Sequence, residues 1–424
     1  MDQKINIDRT HLFSPNINVT VLVTISGEIK PEELTRAIWE AVKSNGILSS
    51  RIKLKENGDA FYSITDEPVF NIQILKEPVP VIIKAQERIP FELEKGEMVR
   101  FFILPGSQEV KLLIMAHHLA GDGLSMAILT EDIMTALSGN AVVDKPLRLL
   151  SREDLPGKSR LNALMQLMVN GLNSKWKKSG RVFTFEDYKR MFLKYWENRE
   201  TVTYSQTLAS DFLELVKMKS REYKVTLNSI ITTALLRAEG KKSDVGIAVN
   251  IRKEGNRNMG NYASGISISY CYKEKLDFWT NAQRVHKLIY NKLDSVRKKF
   301  FLHQYLGQLD GSLTDSAYFS AYEDYGNKTA VIIKNMFGYG NRPKDLSITN
   351  LTRLDMNLKY GKFTLTDFIF IPPVAPNAKH MFGLVSLGNK LNLVMHVLKD
   401  NKEQEDKEYF QKVIAYLNKT ATDS

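Results

Sequence analysis

Strand-like and helix-like patterns alternate along this chain and gather in two blocks, which predicts an α/β protein of layered sheets and helices. Three stretches carry that reading. The β-branched run Val19 to Ile25 closes on Ser26-Gly27, a strand enters a polar loop and then a helix between Val110 and Leu137, and strand patterns resume at Val245 after a basic, aromatic stretch. With 424 residues, 43% hydrophobic and 25% charged, the chain is long enough for two or three packing units, each with its own core.

In chain order, Pro31 suits a first helical turn, and Leu34, Ala37, Ile38, Ala41 and Val42 form one apolar helix face. Asn45-Gly46 reads as its left-handed stop. Short strand-like runs follow, with Pro78-Val-Pro80 between them, before the strand Val110 to Ala116. Residues 125 to 137 have helical spacing and end at Gly139-Asn140. Residues 141 to about 200 read as a crossover, including Leu161 to Leu172 and the Lys175-Trp-Lys-Lys run. Helical patterns then cover 211–220, 227–238 with Thr226 as a cap, 279–305 and 407–417. Strand-like runs are placed at 245–250, 329–335, 367–371, 382–387 and 391–397. The division expected is an amino-terminal part at 1–150, a crossover at 151–200 and a carboxyl-terminal part at 201–424.

Composition removes several classes of function. Cys271 is the one cysteine, so no intramolecular disulfide forms and no Cys/His ladder can hold structural zinc. A strand pattern around it predicts a buried small hydrophobe. The amino terminus alternates polar and apolar residues without the apolar core of an export signal, and Val19 to Ile25 is about a third of a ~20-residue membrane span. A cytoplasmic protein is expected. The net charge of +11 favours anionic partners, yet no aromatic-basic motif points to nucleic acid.

The segment Met115-Ala-His-His-Leu-Ala-Gly-Asp-Gly-Leu-Ser125 carries the chemistry. Two adjacent histidines out of seven, with an acid and a glycine at fixed offsets, should arise by chance in about one such chain per few thousand. Successive side chains of an extended backbone face opposite ways, so His117 and His118 cannot both reach one substrate. Asp122 follows a turn at Gly121, and Gly123 is read as leaving room for a substrate carbonyl. A neutral imidazole can take a proton from a hydroxyl or amine as it attacks an acyl carbon, so general-base acyl transfer is the chemistry these residues support.

With the flanking segments, the sequence resembles the HHxxxDG acyltransferases: condensation domains, alcohol and polyketide-associated acyltransferases and, more distantly, chloramphenicol acetyltransferase. The residues that carry this are Glu32 to Arg51, Ile89-Pro-Phe-Glu-Leu-Glu-Lys-Gly-Glu-Met-Val-Arg100, Val245 to Arg252 with Met259-Gly-Asn261, and Ser347-Ile-Thr-Asn350, where Thr352 replaces a usual glycine. The resemblance implies two chloramphenicol acetyltransferase-like subdomains in a V, with an interfacial tunnel open at both ends. It implies His118 as general base, and Asp122 holding the loop through Arg252. Motif-supporting roles fall to His117, Gly121, Gly123 and Ser125, with Ser347 and Asn350 in the tunnel. The donor is acyl-CoA or a phosphopantetheine thioester on a carrier protein, and the acceptor is a small-molecule alcohol or amine. No tightly bound cofactor, a monomer and a place in secondary metabolism are expected. The alternative is a noncatalytic condensation-like module that recruits a carrier or partner enzyme.

Plainer readings are set beside these. A metal site of His118, Asp122 and His396 is less favoured, since no second ligand cluster supports it. Leu161 to Lys178 is read as a packed crossover helix ahead of a membrane-surface one. Arg297-Lys-Lys and the basic residues of Asn341-Arg-Pro-Lys344 read first as solvated charge, with the phosphates of coenzyme A or a pantetheine arm as the alternative.

Overall fold

The computed structural model describes residues 2–208, 210–339, 343–399 and 402–422. Two six-stranded sheets dominate it. The strands that build them are β1 (Asn18–Ser26), β2 (Asn71–Ile74), β3 (Val99–Pro105), β4 (Glu109–His117), β5 (Thr201–Leu208), β6 (Lys242–Asn250), β7 (Ala263–Cys271), β8 (Lys344–Arg353), β9 (Lys359–Tyr360), β10 (Phe363–Ile371), β11 (Ala378–Leu387) and β12 (Lys390–Leu398). The first sheet has the order β9-β10-β1-β4-β3-β2 and the second β7-β6-β8-β11-β12-β5. A small sheet of Gln3–Lys4, Ala60–Ile64 and Ser50–Leu54 flanks the first. This is the mixed α/β layering read from the sequence.

Alternation fixes which face of each strand is buried. Val19, Val21, Val23 and Ile25 of β1 are at most 1% exposed and meet Leu112 and Ile114 of β4 in one large core. The opposite face of β4, Leu113 and Met115, packs with Phe102, Ile371 and Val394, a small third cluster that draws on strands of both sheets. The second sheet buries Leu346, Ile348, Phe382, Leu384, Leu393 and Met395 under helices that include Leu227–Glu239, Phe278–Leu293 and Glu403–Thr422.

The two blocks of sequence exchange material. β9 and β10, from the carboxyl-terminal part, complete the first sheet, with Phe368 opposite Val23 and Ile371 opposite Thr20. Leu313, Phe319 and Ile333 also enter the first core. Asn392 of β12 ties the sheets by donating to Asp367 Oδ1 at 2.7 Å and to the Phe368 carbonyl at 2.9 Å.

Several local expectations are corrected. Residues 329–335 are not a strand but part of the helix Lys328–Phe337: the Asn327 side chain accepts from the Thr329 and Ala330 N–H groups, and Gly338 at φ +77° closes it. Their β-branched run favours a strand locally, and the two caps decide otherwise. Residues 79–86, beside Pro78-Val-Pro80, form a helix with Pro80 in its first turn. Gly46 is not a left-handed stop. A Cβ there would lie 2.5 Å from the Leu147 nitrogen, so glycine permits the bridge between Asn45 and Lys145. Cys271 is half-exposed at the end of β7 rather than buried. The 279–305 stretch divides into Phe278–Leu293, Val296–Lys299 and Phe301–Leu306.

Candidate active site

The strand–loop–helix order around the motif is built as the sequence suggests. β4 ends at His117, and the helix Gly123–Leu137 starts with Asp122 as its N-cap. Gly121 adopts φ +149°, and a Cβ on it would fall 2.4 Å from the Ser125 Cβ, so the loop tolerates only glycine there. Gly123 does not open space for a substrate. Its missing Cβ is the place where Leu351 packs, at 2.6 Å, with Phe370 beside it.

The two histidines part ways as strand geometry requires. His117 is 1% exposed, and its Nδ1 accepts from the Leu119 N–H at 3.2 Å while Phe91 meets its ring edge-on. Burial, with His118 and Arg100 nearby, pushes His117 down to about 3. The folded state therefore binds fewer protons than the unfolded chain between about pH 6.5 and 3. The His117 contribution should be full above pH 6.5 and decline by several kcal/mol as pH falls toward 3; because Asp8 contributes with the opposite sign, urea unfolding of wild type against His117→Asn between pH 7 and 4 isolates it. A difference between wild type and His117→Asn that stays constant across that range would contradict a buried neutral His117.

His118 lines a cavity of about 690 Å³. Its Nδ1 is buried, so Nε2 is the nitrogen left to face the cavity. Burial lowers its pKa, against which the Asp122 charge pulls upward, so the ring is neutral and basic at neutral pH. His11 stacks on it with centroids 4.4 Å apart and planes 12° from parallel.

Asp122 is wholly committed to structure. Oδ1 accepts from the Ser125 N–H at 2.8 Å, the Ser125 hydroxyl at 3.0 Å and Arg252 Nη2 at 3.1 Å, and Oδ2 accepts from the Tyr262 N–H at 2.9 Å. Arg252 stems from the loop after β6, stacks over Tyr262 at 4.3 Å, and also donates to Ser125 Oγ at 2.9 Å and the Gly260 carbonyl at 3.2 Å. Both side chains are 7% exposed. Ser125 meets Gly260 as well, its Oγ lying 2.8 Å from the Gly260 carbonyl and accepting from the Gly260 N–H at 3.1 Å. Together these groups latch the motif loop to the other half of the chain.

Ser347 lines the cavity, and Asn350 does not. Alternation along β8 puts Asn350 on the side of Leu346 and Ile348, which belong to the second core, and its Oδ1 accepts from the Thr352 N–H at 2.7 Å. Thr352 sits at φ +63°, so a β-branched residue holds the left-handed turn that glycine would adopt freely. His396, weighed as a metal ligand, lies buried with Nδ1 2.8 Å from the Pro372 carbonyl and Nε2 3.6 Å from Glu87. Among the described residues no group of three or more His, Cys, Asp or Glu is arranged to hold a metal.

Sequence reasoning missed Asp8 and His11. They line the same cavity, more than a hundred residues away from the motif, and no spacing links them to it. Burial raises Asp8 to about 7, an effect opposed by the hydrogen bond from Asn261 and helped by Asp122. The segment bearing both, Ile7–His11, is pinned by the buried Arg9–Asp315 ion pair and by Tyr318, which donates to the Thr10 carbonyl at 2.6 Å. Lys292, Arg297, Lys298 and Lys344 also line this cavity, and Asp8 is its sole carboxylate among the described residues. Of the stretch Asn341-Arg-Pro-Lys344, Asn341 and Arg342 lie outside the described residues. A larger cavity, about 930 Å³, opens between residues 141–156 and 251–258 and contains neither motif histidine.

Residues 10–148 match the family model described as "Condensation domain". Across 130 residues, 29% of this chain, it is 29% identical to the dimodular nonribosomal peptide synthase of Bacillus subtilis (strain 168). That match spans 5% of the synthase, and the chain covers 8% of the hybrid PKS-NRPS synthetase poxE of Penicillium oxalicum, to which it is 21% identical over 340 residues. Among solved structures, it is similar to the first condensation domain of the calcium-dependent antibiotic synthetase in complex with a substrate analogue, with a TM-score of 0.64 at 12% identity over 100% of this chain and 97% of that one. It is similar also to polyketide synthase associated protein 5 from Mycobacterium tuberculosis, with a TM-score of 0.63 at 12% identity over 99% and 98%. These likenesses bear out the resemblance to the HHxxxDG superfamily and its fold.

Proposed function

We propose that this chain transfers an acyl group from a thioester, on coenzyme A or on a carrier protein, to an alcohol or amine. The observation that carries the reading is the neutral His118 ring facing a roomy cavity while Asp122 is spent on the latch. His118 takes the proton of the acceptor hydroxyl or amine as its oxygen or nitrogen bonds to the thioester carbonyl carbon. The C–S bond then breaks, and the thiolate recovers that proton from the imidazolium. Within the motif loop, the N–H groups of Ala120, Gly121 and Asp122 already donate to backbone carbonyls, so a cavity-lining hydroxyl such as that of Ser347 is a candidate donor to the oxyanion.

Charge supports an anionic donor. Lys292, Arg297, Lys298 and Lys344 line the cavity that His118 faces, a set of cations suited to a phosphate-bearing donor. Within this reading the working division of the chain is 1–150, 151–200 and 201–424, with the strands Lys359–Ile371 crossing into the first sheet.

Incubation with a panel of acyl-CoAs and acyl-carrier proteins, with and without alcohols and amines, tests the proposal through release of free thiol. Acceptor-dependent thiol release is the expected result. Its absence across the panel, together with tight binding of a carrier protein, would favour a noncatalytic recruiting module.

A further inference from the structure

His118 lacks the carboxylate partner that a general-base histidine commonly uses to stabilise its cationic form, because Asp122 is held by Ser125, Arg252 and Tyr262. What lies against its ring instead is another imidazole, from a segment far away in sequence.

The state of that second ring is legible from its partners. Asn261 Oδ1 accepts from the Ala263 N–H at 3.2 Å, which turns its amide NH₂ toward Asp8 Oδ1 at 2.9 Å and His11 Nε2 at 3.0 Å. Nε2 of His11 is therefore an acceptor, and its proton sits on Nδ1. Burial holds His11 well below the usual histidine range, with His118, His117 and His303 acting in the same direction. Two stacked imidazoles resist double protonation, so a proton entering the pair resides on His118. An imidazolium there faces the π surface of a neutral ring at cation–π distance.

We propose that His11 is a positioning residue for His118: held neutral by Asn261, its ring orients the motif histidine and stabilises the imidazolium that forms when His118 accepts a proton. The other ionisable groups around His118 do not take that role. His117 is turned away on the strand, Asp122 is paired with Arg252, Asp8 is bonded to Asn261, and His303 donates to or accepts from Ser264 Oγ at 3.1 Å.

This inference rests on His118 serving as the base, and its test needs no substrate. In ¹⁵N-histidine-labelled full-length protein, the His118 titration is followed by NMR in the wild type, His11→Leu and His11→Phe, with thermal melts to establish folding. His11→Leu, which removes the π face, should lower the proton affinity of His118 about three- to tenfold. His11→Phe, which keeps a π face and loses the Asn261 contact, should keep it within about twofold of wild type. An unchanged or raised affinity in folded His11→Leu overturns the proposal, as does an equal loss in His11→Phe. Because the titration is read without turnover, failure of the acyl-transfer reading shows separately, as absence of thiol release in the wild type.

Discussion

His118→Ala should fold as the wild type does and lose about 10²- to 10⁴-fold in turnover. The side chain is half-buried beside open cavity and has no hydrogen-bond partner among the described side chains, so its removal strands no buried group. Steady-state thiol release with a competent donor and acceptor, alongside circular dichroism and a melting curve, checks both halves of the statement. Turnover within a few-fold of wild type would remove His118 from the chemistry. The lowered pKa adds a sign: turnover should be constant near neutrality and fall on the acid side, with a midpoint below the usual histidine value of ~6.5.

The second large effect concerns stability. Asp122→Ala deletes one member of a buried ion pair, leaving the Arg252 charge without its carboxylate and the Ser125 and Tyr262 N–H groups without their acceptor. Breaking a buried pair from one side costs about 3–5 kcal/mol, since the surviving charge remains desolvated. Urea unfolding should show a loss of that size, with turnover falling too because the loop bearing His118 is no longer latched to Gly260 and Tyr262. A loss below about 1 kcal/mol would mean that the latch is dispensable. Asp122→Asn should cost less, because the amide oxygen still accepts from backbone N–H groups.

The parts of the site legible in the sequence are those coded locally. Strand alternation separates His117 from His118, and Asp122 reads as the shaping residue of its turn. Family resemblance brings in Arg252, which no spacing within the chain links to Asp122. The misreadings arise where a partner far along the chain decides the outcome. Gly123 reads as open space, yet Leu351 fills it. Asn350 falls on the other face from the cavity because parity along β8 is set by which side meets the second core. His11 and Asp8 carry no pattern at all, and contacts formed across the fold, the Arg9–Asp315 pair and the bonds from Tyr318 and Asn261, hold them at the cavity. The helix Lys328–Phe337 is masked in the sequence by its β-branched residues, and its caps reveal it.

The donation of Phe363–Ile371 to the first sheet bears on biosynthesis. Asn18–Ser26 emerges early from the ribosome, but one of its two neighbouring strands is among the late products of translation. At ~5–20 residues per second, that open edge waits for many seconds and is then a template for mispairing with other nascent chains. Truncations that end before Ile371 should therefore aggregate rather than yield a separable amino-terminal half, and chaperone demand should ease once that late strand docks.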